Sequence, residues 1–286
     1  MRKKLNKKLL KKIGYYSLLG VFFLIFIGSA IYIGDYLIHS AEANSEYSGL
    51  QDLYVPPSRP PILPSEDPTD NTGDPDDPTV DPTVKPTEPT EPTPPTILPE
   101  LQVFYDINSD LVGWITIPDT KINYPVVQSK GNPDYYLKRT FEHKRSDWGA
   151  IYAREACDVF KPSDNITIYG HHMKDGSMFA GLDGYKRQSF WESHQYIYFD
   201  TLYERHVYQV IVAFKVSASY GKGFPYHLFD DAYNEAEFNE FIAKAKAAAY
   251  YDTGLTATYG DKLITLSTCE YTLDNGRHVV IAKRIA

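Results

Sequence analysis

The chain has 286 residues, 43% hydrophobic and 23% charged, with a formal net charge of −8. This fits one or two folded domains with extra segments attached. Seven of the 29 basic residues lie within residues 1–12 (MRKKLNKKLLKK), which leaves 22 basic against 37 acidic residues for the rest. That balance argues against nucleic acid as a partner, because phosphate binding needs a basic face.

The N-terminal basic cluster reads as a cytoplasmic tail over residues 1–12. Residues 13–33 (IGYYSLLGVFFLIFIGSAIYI) then carry no charge. A bilayer core needs about 20 helical residues, so residues 13–34 are expected to form a transmembrane anchor. Tyr15, Tyr16 and Tyr32 sit near its two ends, where aromatic rings favour the interface. Lys and Arg ahead of the span keep the N-terminus inside, which places everything after Asp35 outside the cell membrane. The rival is a cleaved signal peptide with Ala41-Glu42-Ala43 as its cleavage site, but the apolar run is long for one.

Residues 35–100 are expected to form an extracytoplasmic stalk. Its Pro/Thr/acidic part, Val55 to Glu100, holds 15 of the 20 prolines, in units such as DPTVDPTVKPTEPTEPTPPT. Proline removes donors and fixes φ, and the polar remainder cannot bury enough surface to offset chain entropy. An extended, polyproline-II-rich spacer follows, with a reach on the order of 100 Å.

Residues 101–286 read as the folded domain, mainly β. Short β-branched and aromatic runs mark strands at 114–117, 122–127, 150–153, 166–169, 196–199, 207–216, 263–266 and 278–282. Eight strands at this length predict a closed or nearly closed barrel. An N-terminal helix is expected over 101–113. A second, beginning after Asn234, has a capping-box Glu237 and one apolar face at Phe238, Phe241, Ile242 and Ala245. It lies in the long connection before the last two strands.

Two segments carry candidate chemistry. In the first, a strand runs into Cys269, a turn follows, and Arg277 opens the next strand. Antiparallel pairing would bring the two together, and a cation beside a thiol favours the nucleophilic thiolate. Arginine stays protonated, so its plausible work is to hold a carbonyl or a developing oxyanion. The same spacing equally fits a buried cysteine beside a surface arginine. In the second segment, Thr167, Tyr169 and His171 share one strand face, and His172 points the other way. A histidine there can exchange protons near neutral pH. No further His, Cys or Asp group has the spacing of a metal site.

These segments resemble a known family. TLSTC with Arg277 and VVIAKR, together with IYGHHMKDGSMFAGL and DLVGWITIPDTKINYPVVQ, are similar to the sortases, and to class B sortases in particular. The resemblance covers roughly residues 103–286, and the anchor-then-stalk layout matches as well. It implies a sortase-type eight-stranded barrel and a cysteine transpeptidase. Cys269 would be the nucleophile, His171 the catalytic histidine and Arg277 the family's arginine. Ser267 and Glu270 would contact substrate, with the Glu270 N–H as a candidate oxyanion donor, and Leu137 would line the sorting-signal pocket. The implied partners are secreted proteins bearing a sorting signal, cleaved after Thr, and an amine of peptidoglycan precursor or of a pilin. No metal or organic cofactor is implied. Tyr271 stands where some class B members have an aspartate, which removes a Cys-His-Asp triad through that position. Cys157 matches no functional position and reads as a structural or incidental thiol.

Overall fold

The computed structural model describes residues 7–58 and 95–286. Helix α1 runs unbroken over Lys7–Leu53. At 1.5 Å per residue it is about 70 Å long, more than twice a bilayer core. Its two halves differ in character. Between Leu9 and Ile33 the large apolar side chains are exposed, and none of the most apolar stretch is covered by the rest of the chain. By length and composition this half is a candidate membrane span. Further on, Ala43, Tyr47, Leu50 and Tyr54 are buried. Their spacing of four, three and four places them on one stripe, which packs on the barrel.

Residues 35–53, expected as the first part of the stalk, are instead helical. The physical reason is an apolar stripe free of proline before Pro56. A domain boundary at residue 101 would leave out side chains that belong to the domain's core. Tyr54, for instance, stacks on Trp114 with ring centroids 4.2 Å apart. Residues 59–94, most of the expected Pro-rich spacer, lie outside the described residues.

Helix α2, Pro99–Ile107, starts on a proline at its first turn and buries Leu101 and Phe104. It is shorter than the expected 101–113. Asn108 turns extended, its N–H still bonding Phe104 O, and its side chain accepts from Asp110 N at 2.9 Å. That local Asx turn stops the helix. Strand β1 follows at Leu111–Thr116, then β2 at Asn123–Val127, β3 at Ile151–Ala153 and β4 at Asn165–Tyr169. A short helix α3, Gln188–Ser193, precedes β5 at Tyr196–Thr201 and β6 at Arg205–Ser217. Helix α4, Glu235–Ala247, leads to β7 at Leu263–Glu270 and β8 at Gly276–Arg284.

The eight strands close into a barrel in the order β1-β2-β3-β4-β7-β8-β6-β5. Two neighbours are parallel, β2 with β3 and β4 with β7; the others are antiparallel. Alternation along β7 sends Ile264 and Leu266 into the main core with Val280 and Ala282. Leu263, Val279 and Ile281 face a second core, roofed by α4 through Phe238, Phe241, Ile242 and Ala245. Each Val, Ile, Leu and Phe among them contributes about 1.5–3 kcal/mol by burial. Asn234 caps α4 by accepting from Glu237 N at 3.1 Å, while the Glu237 carboxylate reaches Tyr233 N rather than Asn234 N. The connection that carries α4 thus covers the outer face of β6, β7 and β8, and the candidate site opens at the end of that face.

Candidate active site

Cys269 and Arg277 are direct partners across the antiparallel β7–β8 pair. The turn between them is fixed by Glu270. Its Oε2 accepts from Thr272 N and Thr272 Oγ1, both at 2.9 Å, and from Leu273 N at 3.2 Å. Arg277 donates through Nη1 to Gly276 O at 2.9 Å and Asn275 O at 3.3 Å. The guanidinium is thus aimed by its own turn, with other donors of its fork unused in these bonds.

His171 arrives from a different part of the chain. β4 lies parallel to β7 with Tyr169 opposite Ser267, and Gly170 N extends the pairing to Ser267 O at 3.1 Å. Two residues past each partner come His171 and Cys269. The ring is held by a 2.7 Å bond between Nε2 and Leu137 O. A carbonyl can only accept, so Nε2 carries the proton and Nδ1 is left for proton exchange. Burial pushes the His171 pKa below its ordinary value, opposed by that same carbonyl. His171 is therefore predominantly neutral at pH 7.

Cys269, His171 and Arg277 open together into one cleft of about 410 Å³, and Ser267 and Leu137 line it too. Ser267 is nearly fully buried, with its hydroxyl 2.6 Å from the Tyr226 hydroxyl. Leu137 lies in a 3₁₀ turn, Tyr135–Lys138, and its backbone carbonyl is what holds His171. Glu270 is the exception among the expected site residues. Its side chain is spent on the β7–β8 turn and does not line the cleft. His172 points away from the cleft, pairing with Asp183 at 3.1 Å, and Tyr271 donates to His172 O.

Sequence reasoning missed several walls of the cleft, among them Tyr226, Tyr152, Arg154 and Asp134. Tyr226 stands in a connection with no periodicity, so only the crowding of aromatics in GFPYHLF marked it. Arg154, one residue past β3, pairs with Asp230 of the same connection. Cys157 packs behind this pair, donating to Asp230 Oδ1 at 3.2 Å, and burial pushes its thiol well above the ordinary range. It is not poised as a nucleophile. Among the described residues, no three His, Cys, Asp or Glu side chains converge as a metal site requires.

Residues 115–285 match the family model for the Sortase domain. The chain belongs to the sortase family. It is 34% identical over 191 residues to Sortase B of Staphylococcus aureus, covering 66% of this chain and 76% of that one. It is 31% identical over 188 residues to Sortase B of Listeria monocytogenes, covering 65% and 74%. Among solved structures, a Bacillus anthracis sortase B aligns with TM-score 0.65 at 30% identity, covering 87% of this chain and 99% of its own. A Staphylococcus aureus sortase B–substrate complex aligns with TM-score 0.61 at 34% identity, covering 66% and 86%. The expected class B resemblance and closed barrel with its helices agree with these relatives, and sortase transpeptidase function follows at the level of the family.

Proposed function

We propose that this sortase cleaves a C-terminal sorting signal after threonine and joins the released carboxyl end to an amine of peptidoglycan. The observation that carries the reading is the convergence of Cys269, Arg277 and His171 on one cleft from the ends of three adjacent strands, β7, β8 and β4. Cys269, as the thiolate, attacks the threonine carbonyl carbon, and the carbonyl oxygen takes the negative charge. Arg277, with the Glu270 N–H, stabilises that oxygen. The C–N bond breaks as the leaving amine takes a proton from His171 Nδ1, and a thioester to Cys269 remains. An incoming amine attacks the thioester and gives its proton to His171, and the Cys269 thiolate leaves. One amide exchange becomes two acyl transfers.

Only the protonated minority of His171 can deliver a proton to the leaving amine, and only deprotonated Cys269 can attack. A bell-shaped pH dependence follows. One Staphylococcus aureus sortase B structure is a substrate complex, and another sortase B structure is a complex with triglycine. An acyl peptide and an amine-bearing acceptor are the corresponding ligands here, with Ser267 and Leu137 against the acyl peptide. The apolar half of α1 holds the enzyme in the cell membrane, N-terminus inside and catalytic domain outside, as a spacer-tethered surface enzyme. No metal or organic cofactor enters these steps.

Mass spectrometry of products from a sorting-peptide library with added amines tests the reading. The expected result is peptide cut after threonine and joined to amine in competition with water. Hydrolysis alone would make the enzyme a cell-wall peptidase, and preference for a lysine side-chain amine on a pilin would make it a pilus-assembling enzyme.

A further inference from the structure

Catalytic histidines are placed by whatever holds their rings, and here the holder is itself held. Leu137 O, which fixes His171 Nε2, belongs to the β2–β3 connection, whose only regular features are one 3₁₀ turn and an isolated bridge between Arg139 and Arg145. Gly149, at the end of the same connection, packs directly beneath it. Its φ is +58°, and a Cβ there would sit 2.7 Å from both Leu137 O and Tyr136 O and 3.1 Å from His171 Cδ2. Gly149 O in turn accepts a 2.6 Å bond from the Tyr47 hydroxyl of α1. Tyr47 is buried, which raises its pKa well above the ordinary value and keeps it a donor.

A second tie runs alongside. Asp175, four residues past His171, accepts from Ser40 Oγ of α1 at 2.9 Å and from Trp148 Nε1 at 3.1 Å. Its other oxygen accepts from Ser177 N and Oγ at 2.9 and 2.6 Å. Burial works against this carboxylate, but the four bonds hold its pKa down to about 2. The same helix therefore grips the connection that carries the histidine's carbonyl partner, at Gly149, and the segment after the histidine, at Asp175.

We propose that Tyr47 is a positioning residue: through Gly149 and the Leu137 carbonyl, the helix that continues from the apolar anchor sets the orientation of His171. This rests on His171 acting as the leaving-group acid. It makes α1 more than a tether. Its outer half is part of the catalytic apparatus, although no residue of it lines the cleft.

The test uses the full chain in detergent and reads single-turnover acylation of Cys269 by two donors with the same acyl peptide. One donor is the peptide amide and the other a thioester. An amine leaves only when protonated, so the amide needs His171. A thiolate leaves without a proton, since its conjugate acid has a pKa of about 8.5. Tyr47→Phe keeps the ring against Tyr124 and removes one hydroxyl. It should slow the amide reaction about tenfold, the worth of roughly one hydrogen bond, and leave the thioester within about twofold. Gly149→Ala should show the same selectivity with a larger loss, with melting curves recorded for each variant. Equal slowing of both donors by Tyr47→Phe would make the tyrosine a packing residue, and an unchanged amide rate would sever it from His171; either overturns the proposal. His171→Ala is the reference. If it too fails to distinguish amide from thioester, the histidine is not the leaving-group acid, and the reading beneath falls on its own evidence.

Discussion

Cys269 and Arg277 face each other within one hairpin, β7 and β8, whose turn is tied by the Glu270 carboxylate at its base. His171 has no such local frame. Its ring is fixed by a carbonyl 34 residues away, and that segment is fixed by a helix residue 102 positions before Gly149. The proposed nucleophile and its cation are a local product of the chain, while the position of His171, the proposed acid, is assembled from α1, the β2–β3 connection and β4. Damage to the hairpin side should come from the residues of the hairpin. Damage to the histidine side should come from far away as well.

The largest expected effect is on the hairpin side. Cys269→Ala should abolish the thioester, seen as loss of the acyl-enzyme mass, while the melting temperature stays near wild type because Cys269 is only partly covered at a strand end. A trapped acyl-enzyme in that variant would move the nucleophile elsewhere. His171→Ala should be nearly as severe toward an amide substrate, since the leaving amine then lacks its acid; single-turnover acylation measures it. Arg277→Lys keeps the charge but loses the planar fork, and should cost about 10²–10³ in acylation rate, the usual worth of an oxyanion donor. Wild-type acylation by that variant would reduce the site to Cys269 and His171.

The smallest effect is on stability. His278, opposite Thr268 in the hairpin, is fully buried and neutral. Its Nε2 donates to Leu182 O at 2.8 Å, and its Nδ1 lies 3.1 Å from the Tyr250 hydroxyl. Burial lowers its pKa to about 4, from 6.5 in the unfolded chain. The unfolded state therefore binds the proton first, and stability falls as pH drops from about 6.5 toward 4. The whole window is worth about 3 kcal/mol. Urea melts at pH 7.5 and pH 4.5 should show that loss, and His278→Gln should flatten it. Equal slopes in the two proteins would mean that the acid sensitivity comes from other groups. His171 shifts in the same direction, so its protonation adds to the same loss of stability in acid.

Much of this protein was legible in its residues alone. The uncharged run over 13–33, the apolar face of α4 and the strands around Cys269 and Arg277 are periodic or contiguous signals, and contiguous signals survive without tertiary context. The stripe at Ala43, Tyr47, Leu50 and Tyr54 was equally periodic, but the dense prolines that follow it drew residues 35–54 into the stalk. The helix end at Asn108 was likewise written in Asn-Ser-Asp, a turn signal overridden by the apolar residues on either side.

What the residues alone determined was the chemistry available and the elements that carry it: a thiol, an arginine and a histidine, each at the end of a strand. What only the tertiary structure decided was their meeting. The parallel pairing of β4 with β7 joins segments about 100 residues apart, and no local propensity specifies that choice, because it depends on closing the whole barrel. The same holds for Tyr226 behind Ser267, and for Tyr47 behind the carbonyl that holds His171. Each is a single long-range hydrogen bond made by a common residue type, and such a bond leaves no pattern in the chain until folding brings its two ends together.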